Sequence, residues 1–268
     1  MLKSLFVSLA LAGALFLPAV ASAQFADSVI SYTSGTGFQP GFNTPASALG
    51  EPSRVTPGLF GGPVDPFNSP YLSSQLVSLG AGGSLTVQFN SPILNSPGHA
   101  FGLDFNIFGN AGFIITNGDY SGGGITDGSL FGADATATRV SVSADGVNFF
   151  TLNPALTPIV DSLFPTDGSG NFGLPVNPAL NASSFADQDM LGIRSLYNGS
   201  GGGRGFDISW AQDGGGNSVS LASISFVRVD VLGGNAEIDG FAVVPEPSTL
   251  SLGALALGAL LCVRRKKQ

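Results

Sequence analysis

Short segments with alternating polar and apolar residues make up much of the chain between residues 76 and 244. Residues 84–89 (Ser-Leu-Thr-Val-Gln-Phe) alternate with a period of two, and in residues 101–108 the odd positions are Phe, Leu, Phe and Ile. This period is typical of a strand with one buried face. Clusters of Gly, Pro, Asn and Asp between the segments predict turns. The pattern therefore predicts an almost entirely β domain.

The clearest single unit is a hairpin. Residues 138–143 and 147–152 are two strand-like segments on either side of an Asp-Gly turn. Further along the chain, residues 224–231 predict a long strand, one face of which carries Val227, Val229 and Val231. Residues 237–244 predict a last strand that closes the domain. Long helical patterns are absent from the sequence outside its two ends.

The N-terminal end has the three parts of a secretory signal peptide. Lys3 gives a positive start, residues 5–17 are apolar, and Ala21 and Ala23 form a small-residue cleavage site before Gln24. We therefore expect residues 1–23 to form a signal helix that signal peptidase removes after export.

The C-terminal end combines a proline-bracketed carboxylate, an apolar run and a basic cluster. Pro245 and Pro247 hold Glu246 in extended backbone outside any helix. Residues 250–263 are apolar, and as a helix they span about 21 Å, against a hydrocarbon core of about 30 Å. Long basic side chains extend such a helix by snorkelling. A single transmembrane helix is predicted, with four basic residues left in the cytoplasm: Arg264, Arg265, Lys266 and Lys267.

This tail resembles the PEP-CTERM sorting signal of bacteria that make extracellular polysaccharide. The matching features are residues 244–249 (Val-Pro-Glu-Pro-Ser-Thr), the Leu/Gly/Ala helix and the Arg264-Arg265 pair, and together they define a sorting segment over residues 245–268. The resemblance implies that the protein is a substrate of exosortase, a membrane-embedded cysteine transpeptidase that cuts near the Pro-Glu-Pro motif. Because the nucleophile belongs to that enzyme, Cys262 is expected to be an ordinary helix residue.

Charge and composition exclude several classes of function for the region between the two ends. Residues 24–244 contain five arginines, no lysine and seventeen acidic residues, which gives a formal charge of −12. Nucleic acid is therefore not an expected partner. The same region has no cysteine, so it can form neither disulfides nor a cysteine-ligated metal site. The only histidine, His99, cannot form a multi-histidine site, and no Gly-x-Ser-x-Gly motif accompanies it.

Many short strands with glycine-rich turns predict a β-sandwich. Five segments resemble, in their order, a jelly-roll sandwich of the galactose-binding-like, discoidin-like type: residues 77–89, 140–149, 206–211, 225–230 and 238–241. The fold class is therefore expected to be all-β, a jelly-roll β-sandwich.

The expected domain organisation has four parts. The signal peptide covers residues 1–23, a Pro/Gly-rich N-terminal part of the exported domain covers 24–75, the sandwich covers 76–244, and the sorting signal follows. Residues 153–204 are an insertion that is longer and richer in Pro and Gly than the resemblance implies.

Two sets of residues are candidates for ligand binding. Trp210 and Tyr197, with Tyr120, could stack on a sugar if they are exposed, although Trp210 follows Phe206 and Ile208 at a spacing of two, which favours a place in the core. A second set of acidic residues lies in or beside predicted strands: Asp104, Asp230, Glu237 and Asp239. If buried, these carboxylates must be paired, hydrogen-bonded or bound to a metal such as Ca²⁺. For Asp230, Arg228 on the same strand face is the favoured partner, without any metal.

The sequence thus predicts a non-enzymatic protein without a required cofactor. It is exported across the inner membrane, held there by its C-terminal helix before exosortase processing, and then located at the cell surface or in the extracellular matrix. A structural or adhesive role is the leading hypothesis. A carbohydrate-binding module of the polysaccharide matrix is the alternative, and a hydrolase with paired carboxylates is the weakest, because no such pair occurs in a recognisable motif.

Overall fold

Strands dominate the structure, a computed structural model that describes residues 24–59 and 61–246. In this part of the chain there are sixteen strands and one α-helix, α1 (Met190–Tyr197). The strands, in chain order, are β1 (Ser28–Thr33), β2 (Val55–Thr56), β3 (Gly62–Pro63), β4 (Val77–Gly80), β5 (Ser84–Leu94), β6 (Phe105–Gly109), β7 (Gly112–Phe113), β8 (Ile125–Thr126), β9 (Leu130–Phe131), β10 (Ala137–Ser143), β11 (Phe150–Leu152), β12 (Gln188–Asp189), β13 (Arg204–Phe206), β14 (Ala211–Gln212), β15 (Ser223–Gly233) and β16 (Asn235–Val243).

Two antiparallel sheets carry the fold. In the described chain, a six-stranded sheet has the order β1-β5-β15-β10-β11-β14, and a four-stranded sheet has the order β13-β6-β16-β4. From β4 to β6 the strands alternate between the two sheets along the chain. Later, β13 lies in the four-stranded sheet, β14 and β15 lie in the six-stranded sheet, and β16 returns to the four-stranded sheet. The remaining strands form two-stranded ribbons in the connections.

One hydrophobic cluster joins the two sheets. The six-stranded sheet contributes Leu85, Val87, Val140, Val142, Val227 and Val229, and the four-stranded sheet contributes Val77, Leu79, Phe105, Ile107, Ile238 and Phe241. All these side chains are fully or almost fully buried. Burial of large aliphatic and aromatic side chains contributes about 1.5–3 kcal/mol each, so this shared interior is the main source of stability. The predicted β-sandwich is confirmed at this level.

The predicted strands agree with the structure except near their ends. The strand predicted for residues 101–108 begins only at Phe105, because residues 100–102 form a 3₁₀ turn in which Phe101 has φ 58° and is 56% exposed. In the predicted hairpin, the return strand is short and begins at Phe150. A register shift between Ile224 and Phe226 interrupts the alternation in β15, and as a result Ile224 is buried together with Val227.

The N-terminal part of the domain contributes one strand to the larger sheet. Strand β1 pairs with β5 along its edge, and Phe25 forms an isolated bridge with Ala242 of β16. The pattern of β1 did not predict a strand, because Val29 and Ile30 are adjacent and do not alternate with polar residues. Its position as an edge strand, with half-exposed side chains, explains why no apolar alternation marks it.

The long insertion at residues 153–204 builds a second hydrophobic cluster around α1. Its buried members are Phe113, Phe164, Val176, Phe185, Ile193 and Tyr197. The Asp189 side chain accepts a hydrogen bond from the Gly192 N–H and caps the helix start, and Asn198 ends the helix in the left-handed conformation. Helix α1 is only eight residues long, and the sequence pattern did not predict it.

The predicted signal peptide (1–23) and transmembrane helix (250–263) lie outside the described residues. Within residues 24–59 and 61–246, no helix combines the length and the apolar character that a membrane span requires.

Candidate functional site where the last strand ends

The chain stays bound to the body of the domain after its last strand ends at Val243. The Val243 N–H donates to the Gln24 carbonyl at 2.8 Å, and the Val244 N–H donates to the Asp104 carbonyl at 2.9 Å. Val244 is 2% exposed. The proline-glutamate segment therefore begins from a fixed point on the sandwich and not from a free linker.

Glu246 lies against two side chains of the loop between β5 and β6. The Ser96 hydroxyl donates to Glu246 Oε2 at 3.2 Å, and His99 Nε2 lies 3.2 Å from Glu246 Oε1. The two oxygens of one carboxylate thus face two different residues of the body. The Glu246 side chain is 46% exposed, whereas that of His99 is almost completely buried.

His99 is held in this position by the buried carboxylate of Asp104. His99 Nδ1 lies 2.7 Å from Asp104 Oδ1, and Asp104 also accepts from the Ser96 N–H at 3.1 Å and from the Ile208 N–H at 2.8 Å. Burial raises the pKa of the Asp104 carboxyl, and the hydrogen bonds from Ile208, Ser96 and His99 oppose that rise. Asp104 therefore orients the imidazole ring, and two backbone N–H groups hold the Asp104 carboxylate in place.

The other nitrogen of the ring has no hydrogen bond within the described chain. Although His99 Nε2 is close to Glu246 Oε1, the contact lacks hydrogen-bond geometry, and the nitrogen has no access to solvent. A carboxylate oxygen only accepts, so the contact becomes attractive only with a proton between these two atoms. His99 thus directs a buried, unsatisfied polar atom toward Glu246.

Local sequence explains how the loop forms, but not what it contacts. Pro97 and Gly98 follow Ser96, whose hydroxyl accepts from the Gly98 N–H at 3.3 Å, and this turn returns the chain to His99. From the sequence, the only roles to weigh for His99 are those of a metal ligand and a catalytic base. A histidine five residues before an aspartate next to a strand was the available signal for their pairing. Nothing in the sequence connected either residue to Glu246.

The three aromatic candidates for sugar binding have different environments. Tyr197 is 2% exposed and its hydroxyl donates to the Pro165 carbonyl at 2.7 Å, so its ring offers no face to a dissolved ligand. It is buried because its edge packs against the rings of Phe164 and Phe185. Trp210 is partly buried against the main core. Tyr120 is 80% exposed.

The four acidic candidates for calcium each have their own protein partners. Asp104 is bound as described above, and Asp239 accepts from the N–H and hydroxyl of Ser53. Glu237 accepts from the Asn110 side chain.

The remaining acidic candidate, Asp230, is paired with arginine. Its Oδ1 accepts from Arg228 at 2.7 and 3.0 Å, and its Oδ2 accepts from Arg139 at 3.3 Å. The predicted pairing of Arg228 with Asp230 is therefore confirmed. In the described part of the chain, no group of three or more His, Cys, Asp or Glu residues could hold a metal ion. Calcium binding stays a prediction.

Comparison with known proteins identifies the segment that begins at this site. Among curated proteins, none matches the sequence. The family model of the PEP-CTERM protein-sorting motif matches residues 243–267, which start at the last residue of β16 and include Glu246. The chain therefore carries a PEP-CTERM protein-sorting motif, which identifies it as an exported substrate of exosortase.

Proposed function

We propose that the exported domain is a jelly roll that exosortase delivers to the cell surface for a structural or adhesive role, without enzymatic activity. The eight strands considered are β4, β5, β6, β10, β11, β13, β15 and β16. The first of these pairs with the eighth, the second with the seventh, the third with the sixth and the fourth with the fifth. Nested pairs of this kind are the pattern of a long hairpin rolled into two Greek keys. This order supports the jelly roll that the sequence resemblance implied.

The observation that carries the proposed role is the direct connection between the sandwich and the sorting motif. Strand β16 ends at Val243, and the motif match begins at the same residue. When exosortase processes the chain near this point, the sandwich is the part of the protein that it delivers. A disulfide-free domain with a large interior and a formal charge of −12 suits display in the hydrated, extracellular matrix.

The remaining steps of export belong to the same proposal. Signal peptidase removes residues 1–23, and residues 250–263 hold the protein in the inner membrane until exosortase acts. The basic cluster at Arg264–Lys267 then keeps the tail end in the cytoplasm.

A deletion of the gene in its native host tests the structural role. We expect the cells to lose cohesion of their surface matrix, because the protein is proposed to connect matrix components, and we expect full-length protein to restore it. Cell aggregation and matrix retention after mild shear are the measurements. Unchanged aggregation, with the protein detected at the surface of the parent strain, contradicts the role but not the sorting.

Carbohydrate binding is the second candidate because of one exposed residue. Tyr120 lies in a loop whose turn is fixed by Asp119 and Asn117, which accept backbone hydrogen bonds from Ser121 and Ile125. A rigid, exposed aromatic ring beside carboxylate and amide groups is suited to stacking on a sugar and bonding its hydroxyls.

For this second candidate, we expect Tyr120→Ala to lower the affinity for the host's polysaccharide about tenfold, since loss of one stacking partner corresponds to roughly 1–2 kcal/mol. Titration calorimetry is the measurement. Val147→Ala is the matched control, because Val147 is 78% exposed in the turn between β10 and β11. Equal affinities of the parent protein and both variants, or no binding by any of them, would remove this alternative.

A further inference from the structure

We infer that Ser96 and His99 form a carboxylate-binding cleft on the sandwich whose ligand is Glu246 of the chain's own sorting motif, and that this contact restrains the motif until exosortase takes it. The inference rests on processing by exosortase and adds a regulatory role for the domain that precedes the motif.

The cleft has the features of a built site. His99 is 4% exposed, and its ring is fixed by Asp104, which is fully buried. Its remaining nitrogen is shielded from solvent, has no hydrogen bond within the described residues, and lies 3.2 Å from a Glu246 oxygen. A buried, unpaired polar atom is costly, so a group that pairs with it is stabilised. The group that faces this nitrogen is the Glu246 carboxylate, which forms an ion pair with the ring when His99 carries a proton on Nε2.

The second half of the cleft binds the other oxygen of the same carboxylate. The Ser96 hydroxyl donates to Glu246 Oε2, and the Ser96 N–H donates to Asp104. Ser96 therefore connects the buried pair to the ligand. Because the Ser96 hydroxyl already accepts from the Gly98 N–H, its side chain is oriented by the loop and loses little freedom when it binds Glu246.

Backbone contacts place the motif over the cleft. The Val244 N–H donates to the carbonyl of Asp104, the same residue whose carboxylate orients His99. Asp104 therefore holds both His99, which faces Glu246, and the backbone of Val244, two residues before Glu246. Within the described residues, the polar contacts of the Glu246 carboxylate are those with Ser96 and His99.

This geometry has a consequence for processing. A membrane-embedded transpeptidase that cuts near Pro-Glu-Pro must accommodate this segment in its own active site, and Glu246 cannot be bound there while it is bound to Ser96 and His99. Release from the cleft is therefore a step before cleavage, and the folded sandwich competes with the enzyme for Glu246.

Changes on the sandwich side test this competition without altering the motif. Ser96→Ala removes the donor to Oε2. His99→Asn keeps a nitrogen donor in reach of Asp104 and removes the nitrogen that faces Glu246. We expect each variant to be processed about three- to tenfold faster than the parent, because Ser96→Ala removes an exposed hydrogen bond to Glu246 and His99→Asn removes the ion-pair contact with it. The measurement is pulse–chase processing of full-length protein in cells that contain exosortase.

Two readouts make the result decisive. Ser129→Ala is the matched control, because the Ser129 hydroxyl also donates to a carboxylate, that of Asp127, on a separate loop, and it should leave the rate unchanged. Hydrogen exchange of the Val244 N–H in each folded variant should be faster than in the parent, and a global loss of protection would mark unfolding. Unchanged or slower processing of both folded cleft variants overturns the inference. If the parent itself is not processed, exosortase sorting fails instead.

Discussion

The exported domain should unfold at a lower temperature at pH 8 than at pH 5. Two buried carboxyls cause this effect. Burial raises the pKa of both Asp161 and Asp239 to about 7, although backbone donors oppose the rise at both sites and the Ser53 hydroxyl opposes it at Asp239. In the unfolded chain an aspartate has a pKa near about 4, so between these values the folded state binds more protons. The stabilisation that these two carboxyls contribute is fully present below about pH 4 and is lost as the pH rises through about 7.

The expected size of this change is large for a domain of this kind. Each carboxyl contributes about 2–3 kcal/mol between pH 5 and pH 8, and the total of about 5 kcal/mol corresponds to a shift on the order of 10 °C in unfolding temperature. Differential scanning calorimetry across this range is the measurement.

At low pH, the stability of the domain should fall because of an ion pair between Arg194 and Asp167. Arg194 donates to both oxygens of Asp167, at 2.7 and 3.1 Å. Burial acts to raise the pKa of Asp167, but the bonds from Arg194 and Ser169 outweigh it and hold the pKa below its ordinary value. Stability from this pair is present above about pH 4 and is lost as the pH falls through the depressed pKa. The unfolding temperature should therefore have its maximum between about pH 4 and pH 6.

Substitution of one of the two carboxyls whose pKa is raised measures how much of the pH dependence of stability that carboxyl causes. In Asp239→Asn, the amide oxygen can accept from the Ser53 N–H and the amide nitrogen can donate to the Ser53 hydroxyl, so both contacts persist without a titrating group. We expect this variant to lose about half of the pH dependence and to gain stability at pH 8. Asp187→Asn, at an exposed position with φ 62°, changes the same charge and should keep the full dependence. Identical pH profiles of the parent and Asp239→Asn would contradict the assignment.

The second large effect is expected for Asp104→Ala, with a loss of about 3–5 kcal/mol in the free energy of unfolding. The change leaves three groups without an acceptor: the Ser96 N–H, the Ile208 N–H and His99 Nδ1. Asp104 is fully buried, so water cannot easily replace it, and each unsatisfied group costs about 1–3 kcal/mol. Since small domains are stable by only about 5–15 kcal/mol, the variant should unfold at much lower urea concentration.

Asp213→Ala is the matched control for this experiment. Asp213 also accepts two backbone N–H groups, those of Gly215 and Asn217, at 2.8 and 2.9 Å, but it lies in an exposed turn. Water can satisfy these donors after the change, so we expect a loss below about 1 kcal/mol. Equal losses for the two variants would show that Asp104 is not a central buried acceptor.

Much of the sandwich could be predicted because its signal is local. The apolar positions at residues 85–89 of β5 and 227–231 of β15 follow the two-residue period that any strand with one buried face must show. The tail could be predicted for a similar reason, since its prolines, apolar run and basic cluster each act through their own chemistry. These features do not depend on which distant segment is their neighbour.

Other features depend on contacts that no local pattern encodes. The turn at Phe101 breaks a strand-like alternation, and Tyr197 is buried only because the insertion folds around α1. The polar edge strand β1 is a strand because β5 offers it hydrogen bonds. In each of these cases tertiary packing overrides the local pattern.

The sequence by itself determined that this protein is an exported, disulfide-free β domain with a sorting tail, because period, composition and terminal motifs are properties of short segments. Only the tertiary structure decided the strand order, the second cluster and the contact between Ser96 and Glu246, which are 150 residues apart. The physical reason is that a hydrogen bond or a packing contact forms with whichever partner the fold brings within reach, and the chain can bring that partner from any distance along the sequence.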